Sequence, residues 1–175
     1  MRINRPTLLI FVALTLACAH KYAVPPITGK GRPIPVQSRT LVVTPADGRD
    51  ERNATYHDSG SWVASALTSA LQVHHVEASV APPEVGFEAA LLAARSAAAH
   101  FLVVPTIQNW SDRLTEWSGI PDRITIRVRV IEVSTGELLD DRDLRASSRW
   151  ATWGGDHPQD LLPELAAQWA HSVVQ

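Results

Sequence analysis

The chain has little of what most directly marks chemistry. One cysteine stands among 175 residues, so no intramolecular disulfide forms, and no Cys or His spacing matches a zinc site. The nine glycines are scattered. "ADGRDERNATYHDSGS" holds only Gly48 and Gly60, without the clustered glycines that let a backbone approach a pyrophosphate. "GSW" at Gly60 lacks the second glycine and the preceding strand of a nucleophile elbow. His74 and His75 are adjacent and would face opposite sides of a strand, a poor arrangement for sharing a metal. Lys and Arg total 16 against 18 Asp and Glu, for a net charge of −2, and no basic run forms a stripe that would neutralise a phosphate backbone. These absences argue against an enzyme, a metal, a cofactor and a nucleic-acid partner. Aromatics make up 6% of the chain, yet tryptophan (six) outnumbers tyrosine (two) and phenylalanine (three) together.

What is present begins at the amino terminus. "MRINRPTLLIFVALTLAC" has Arg2 and Arg5 in a basic head, an apolar run from Leu8 to Leu16, and small Ala17 before Cys18. A helix spanning a bilayer needs roughly 20 apolar residues, so the run reads as an export signal over residues 1–17. An unpaired thiol in an exported protein needs a use, and "LTLAC" resembles a bacterial lipobox, which implies acylation of Cys18 and anchoring in a lipid bilayer. Ala19 after the cysteine resembles outer-membrane sorting, on the periplasmic face. Removal of Arg2 and Arg5 would leave 14 basic against 18 acidic residues, a net charge of −4.

Residues 18–38 carry four prolines and two glycines with little periodicity and read as an extended tether, leaving 39–175 as one domain. "RTLVVTP" is a strand ended by Pro45. Val63, Ala66, Leu67, Ala70 and Leu71 then fall at helical spacing, with Asp58 or Ser59 as N-cap. "HHVEASV" is a second strand, and Phe87, Leu91, Ala94 and Ala98 mark a second helix over 87–99. The third strand, "HFLVVPTIQNW", has the unbroken apolar run of a central strand. In "RITIRVRVIEV", Ile124, Ile126, Val128 and Val130 alternate with Arg123, Thr125, Arg127 and Arg129, and the arginine face pairs with Asp143. "STGE" turns the chain into a fifth strand around Leu139–Trp150, with Leu144, Ala146, Ser148 and Trp150 on one face. A last helix follows, buried through Leu162, Leu165, Ala166, Trp169 and Val173, with Asp156 and Gln159 as its capping box and Pro158 in its first turn. The expected fold is α/β, in two or three layers, β-α-β-α-β-β-β-α. Strands one to three would be parallel, and strands three to five an antiparallel meander.

This layout, with "LVVTPADG", "HFLVVPTIQNW" and "VRVIEVSTGELL", resembles the amino-terminal domain of TolB and the curli-secretion and penicillin-binding-protein-activator lipoproteins. "TEWSGIPDR" and "SRWATWGGDHPQDLL" resemble an uncharacterised family of proteobacterial lipoproteins known only as a domain of unknown function. The resemblance implies a periplasmic, envelope-associated binding or assembly module, with an envelope protein or the cell wall as partner.

The layout also gathers the tryptophans. Trp110, Trp117, Trp150 and Trp153 fall at one end of the sheet, where the long loop after the first strand also leaves and where ligands of open α/β sheets bind. Asp47, Arg49, Tyr56, His57, Trp110, Arg113, Trp117, Trp150 and Trp153 therefore form a candidate partner-binding surface, or a small-ligand or glycan site. The competing expectation is that the indoles close the end of the core.

Overall fold

The computed structural model describes residues 20–27, 34–83, 86–112, 121–148 and 157–175. Among them the order is β1 (Lys21–Ala23), β2 (Arg39–Val43), α1 (Ser59–Val73), β3 (Glu77–Ala81), α2 (Phe87–Ser96), β4 (Phe101–Ser111), β5 (Arg123–Glu132) and β6 (Leu138–Ser147). A 3-10 turn at Pro158–Leu161 then leads into α3 (Leu162–Val173). The strands form one mixed sheet in the order β1-β6-β5-β4-β2-β3. β2 pairs in parallel with β3 and β4, and β4, β5, β6 and β1 pair antiparallel in succession.

The connection from β2 to β3 steps one way across the sheet and the connection from β3 to β4 steps back past β2. With both crossovers right-handed, the reversal puts α1 and α2 on opposite faces. The packing follows. Val63, Leu67 and Leu71 of α1 and Leu165, Ala166 and Trp169 of α3 share a core with Val42, Val103, Ile124, Ile126, Val128 and Val130. Ala90, Leu91 and Ala94 of α2 cover Leu41, Val43, Leu102 and Ile131 on the other side. α2 is short, so beyond it the second face of β5, β6 and β1 keeps its polar row of Arg127, Arg129, Asp141, Asp143 and Arg145.

Several expectations are corrected. The sheet has a sixth strand, because Lys21–Ala23, within the expected tether, pairs with Arg145–Ser147 on the open edge of β6. Three residues are too few to show a period, and the neighbouring prolines mask them. Ile34, in the same stretch, is fully buried and its N–H donates to Val173 O, so residues that were to run unpacked in fact close the end of α3. α2 stops at Ser96, and Phe87 stays 39% exposed instead of joining the buried stripe. β3 starts at Glu77, since His75 takes a left-handed φ of 60° and turns the chain there. The capping box before α3 is formed by His157 and Asp160, with His157 N–H donating to Asp160 Oδ2 at 3.0 Å, one residue later than expected; Asp156 lies outside the described residues. Arg127 bonds Asp141, not Asp143, because the diagonal partner suits its length and fork, and its Nε donates to Asp141 Oδ1 at 2.6 Å.

Candidate functional site

The expected site lies where β2 and β4 end and α1 begins. The loop leaving β2 must return to start α1 under the sheet, and its polar residues hold that return. Asp58 takes a left-handed φ of 67° and caps nothing with its own side chain. Asp47 supplies the missing cap from eleven residues upstream, its Oδ1 accepting from Gly60 N–H at 2.9 Å and its Oδ2 from Asp58 N–H at 3.3 Å. A carboxylate at this terminus satisfies open N–H groups and complements the helix dipole. Ser59, fully buried, accepts from Gly48 N–H at 2.8 Å and donates to Tyr56 O at 2.6 Å. Two glycines allow the approach. A Cβ on Gly60 would stand 2.1 Å from Pro45 O, and one on Gly48 would stand 2.8 Å from both Ile107 Cγ2 and Trp110 Cβ.

Trp110 is the centre of this end, and it is fully buried. Tyr56 lies against it with ring centroids 6.5 Å apart, and Trp62 with centroids 6.2 Å apart, both tilted. The phenol of Tyr56 donates to Asp112 O at 3.4 Å. Burial pushes its pKa up, opposed by that backbone bond and reinforced by the negative charges of Asp50, Asp112 and Asp122. Asp112 also meets His157 at 3.6 Å, which ties the end of β4 to the start of the last helical segment. Asp122 and Ser148 extend the β5–β6 pairing at the same end, with Asp122 N–H donating to Ser148 Oγ at 2.9 Å and Ser148 N–H to Asp122 O at 3.0 Å.

Of the nine residues expected to form a surface, the structure therefore brings Asp47, Tyr56 and Trp110 together as structural parts. Trp110 seals the core and presents no ring to a partner. Arg49 and His57 are exposed, with Arg49 Nη1 donating to Asn53 Oδ1 at 3.0 Å. Arg113, Trp117, Trp150, Trp153 and the lipidation candidate Cys18 lie outside the described residues. The tryptophan that sequence reasoning missed is Trp62, 40% exposed at the rim of a 230 Å³ apolar groove lined by Ala66, Leu162 and Pro163. Its signal was its place beside Val63, at the edge of the buried stripe of α1. Among the described residues no cluster of three His, Cys, Asp or Glu side chains is placed to hold a metal ion, and no helix is long and apolar enough to cross a membrane.

A family model described as "Domain of unknown function (DUF4823)" matches residues 33–173. No curated protein matches the chain. Among solved structures it is similar to the PelC dodecamer from Paraburkholderia phytofirmans, at 15% identity and a TM-score of 0.61, over 90% of this chain and 98% of that one. It is also similar to the hypothetical protein CT253 from Chlamydia trachomatis, at 13% identity and a TM-score of 0.53, over 79% of this chain and 98% of that one. Protein XCC0632 from Xanthomonas campestris, of family DUF330, matches at 11% identity and a TM-score of 0.51, over 85% of this chain and 92% of that one. At these identities the likeness is one of fold.

Proposed function

The chain belongs to the DUF4823 family, and on that premise we propose that it is a lipid-anchored module of the bacterial envelope that binds or assembles with a partner and catalyses no reaction. The observation that carries the reading is the join between leader and domain. A basic head, an apolar run too short to span a bilayer and a lipobox-like "LTLAC" end at Cys18, and the sheet begins at Lys21. Acylation of Cys18 gives such a chain a bilayer anchor without a membrane-spanning helix. Ala19 favours the outer membrane and its periplasmic face. PelC, of similar fold, is a dodecamer, which is the kind of repeated assembly this reading admits.

The partner is an envelope protein or the cell wall. Trp62 and its apolar groove between α1 and α3 offer an exposed aromatic anchor of the kind that dominates interfaces. At 230 Å³ the groove is smaller than a typical small-molecule pocket of roughly 300–1,000 Å³, which favours a partner over a small ligand or glycan. The experiment is Cys18→Ala followed by fractionation of cells. The variant is expected in the soluble periplasmic fraction while the parent pellets with the outer membrane; a variant that still pellets would refute lipid anchoring.

A further inference from the structure

The sixth strand changes what the anchor can do. Between Cys18 and Lys21 lie only Ala19 and His20, so three Cα steps, about 11 Å at full extension, separate the anchoring sulfur from the edge of the sheet. A tether of twenty residues would let the domain stand off the bilayer; this one does not. With Cys18 acylated, the surface around Lys21 would be held at headgroup level.

That surface is basic. β1, β6 and β5 run abreast in register, with Lys21 opposite Ser147 and Ser147 opposite Arg123, and one row further Ala23 opposite Arg145 and Arg145 opposite Thr125. Strands are about 4.8 Å apart, so the Lys21 and Arg123 backbones stand about 10 Å from each other on one face. Lys21, Arg123 and Arg145 line a 410 Å³ groove there with Asn109, Thr125 and Glu51, which is the one carboxylate in the described lining. All three cations are exposed. Arg145 remains 66% exposed although Asp143 lies 3.5 Å away.

We propose that this groove, built from Lys21, Arg123 and Arg145 at the anchored edge of the sheet, docks on the phosphate headgroups of an anionic phospholipid bilayer. The inference rests on acylation of Cys18 and adds to it an orientation: the edge carrying β1 and the ends of β4, β5 and β6 that line the groove face the membrane, and the opposite end of the sheet faces away. Attraction to anionic lipid falls off within a Debye length of roughly 8 Å, so the patch acts only if the chain keeps it close, as the short join does. Two features thus converge from independent sources, one from chain length and one from strand register.

The test uses the mature acylated chain in vesicles of phosphatidylethanolamine with phosphatidylglycerol. Because Cys18 is the only native cysteine, Thr125→Cys places a single fluorophore in the groove, and Val73→Cys places one at the far end of the sheet, where the side chain is 77% exposed. Intact mass first establishes that Cys18 is acylated; an unmodified Cys18 would overturn the anchoring reading itself. With acylation present, quenching by aqueous iodide is expected to fall several-fold at position 125 and to stay unchanged at position 73. Each of Lys21→Gln, Arg123→Gln and Arg145→Gln should lower the docked-to-undocked ratio about fivefold, with melting temperatures unchanged. Equal quenching at both positions on an acylated chain would overturn the docking. So would protection that persists in phosphatidylcholine vesicles or in the triple variant. Protection brought by soluble polygalacturonate to the micelle-bound chain, and absent on vesicles, would overturn the membrane in favour of an acidic glycan.

Discussion

Two ion pairs on the β5–β6 hairpin use the same chemistry on opposite faces of one sheet. Arg142 Nε donates to Asp140 Oδ2 at 2.7 Å with the side chains 1% and 3% exposed. Arg127 pairs with Asp141 with the side chains 48% and 23% exposed. The buried guanidinium also reaches Pro25 O at 2.8 Å and Ser172 Oγ at 3.0 Å, so it joins the segment after β1, strand β6 and helix α3 in one joint. The exposed one lies among Arg129, Asp143 and Arg145, on a face that water and partners reach. The difference is burial, not charge. Inside, an ion pair becomes a fastening that is costly to break; outside, it is a replaceable contact.

Breaking the buried pair should have the largest effect. Arg142→Leu is expected to cost about 3–5 kcal/mol in denaturant unfolding, because the buried Asp140 carboxylate loses its guanidinium partner, and Asp140→Leu with Arg142→Leu should recover most of that loss. A double variant no more stable than the single would show that Arg142 acts through Pro25 and Ser172 alone. Asp47 lies between the two extremes, a half-buried carboxylate serving a helix terminus. Asp47→Ala should cost about 1 kcal/mol, measured the same way. No loss there would return Asp47 to the list of residues available to a partner.

The titrations are smaller effects. Tyr56 has its pKa raised, chiefly by burial, so the folded state favours the neutral phenol. Its contribution is complete below the ordinary phenol value of about 10 and is lost as pH rises through the raised folded value; Tyr56→Phe should flatten stability against pH in that alkaline window. Asp141 is shifted the other way, held down chiefly by its bond to Arg127. Its contribution is present above the ordinary Asp value of about 3.9 and fades as pH falls through the depressed folded value. Arg127→Gln should therefore lower stability slightly at neutral pH, as expected for an exposed pair, and the difference from the parent should vanish as pH falls through the depressed value. A loss at neutral pH as large as that of Arg142→Leu would mean that the exposed face is as integral as the buried one.

Much of the fold was legible because periodicity is a property of the chain. The alternation of Ile124 to Val130 located one sheet face, and the stripe from Val63 to Leu71 located the side of α1 that meets it. The buried joint was legible too, had the alternation in β6 been followed backwards. Ala146 and Leu144 point into the core, and two further steps place Arg142 and Asp140 on that same face. Charge discourages that step, since a buried arginine is uncommon without its partners, and two of the three here, Pro25 and Ser172, are far away in sequence. The cap was hidden for the same reason: Asp47 serves Gly60 across a loop, and no local spacing encodes it. Of the four tryptophans expected at one end of the sheet, Trp110 lies at the end of β4, but whether a ring fills a core or faces solvent depends on Gly48, Tyr56 and Trp62 closing over it. β1 is the plainest omission, as three residues owe their strand to the free edge they meet.

The proposed anchor and everything built on the short join meet at one atom, the sulfur of Cys18. The most direct measurement is the intact mass of the mature protein extracted from membranes, with fragmentation of its amino-terminal peptide. A chain that begins at Cys18 and carries acyl groups there is the expected result; a mature chain with an unmodified Cys18, or one that begins beyond it, would contradict the anchored module.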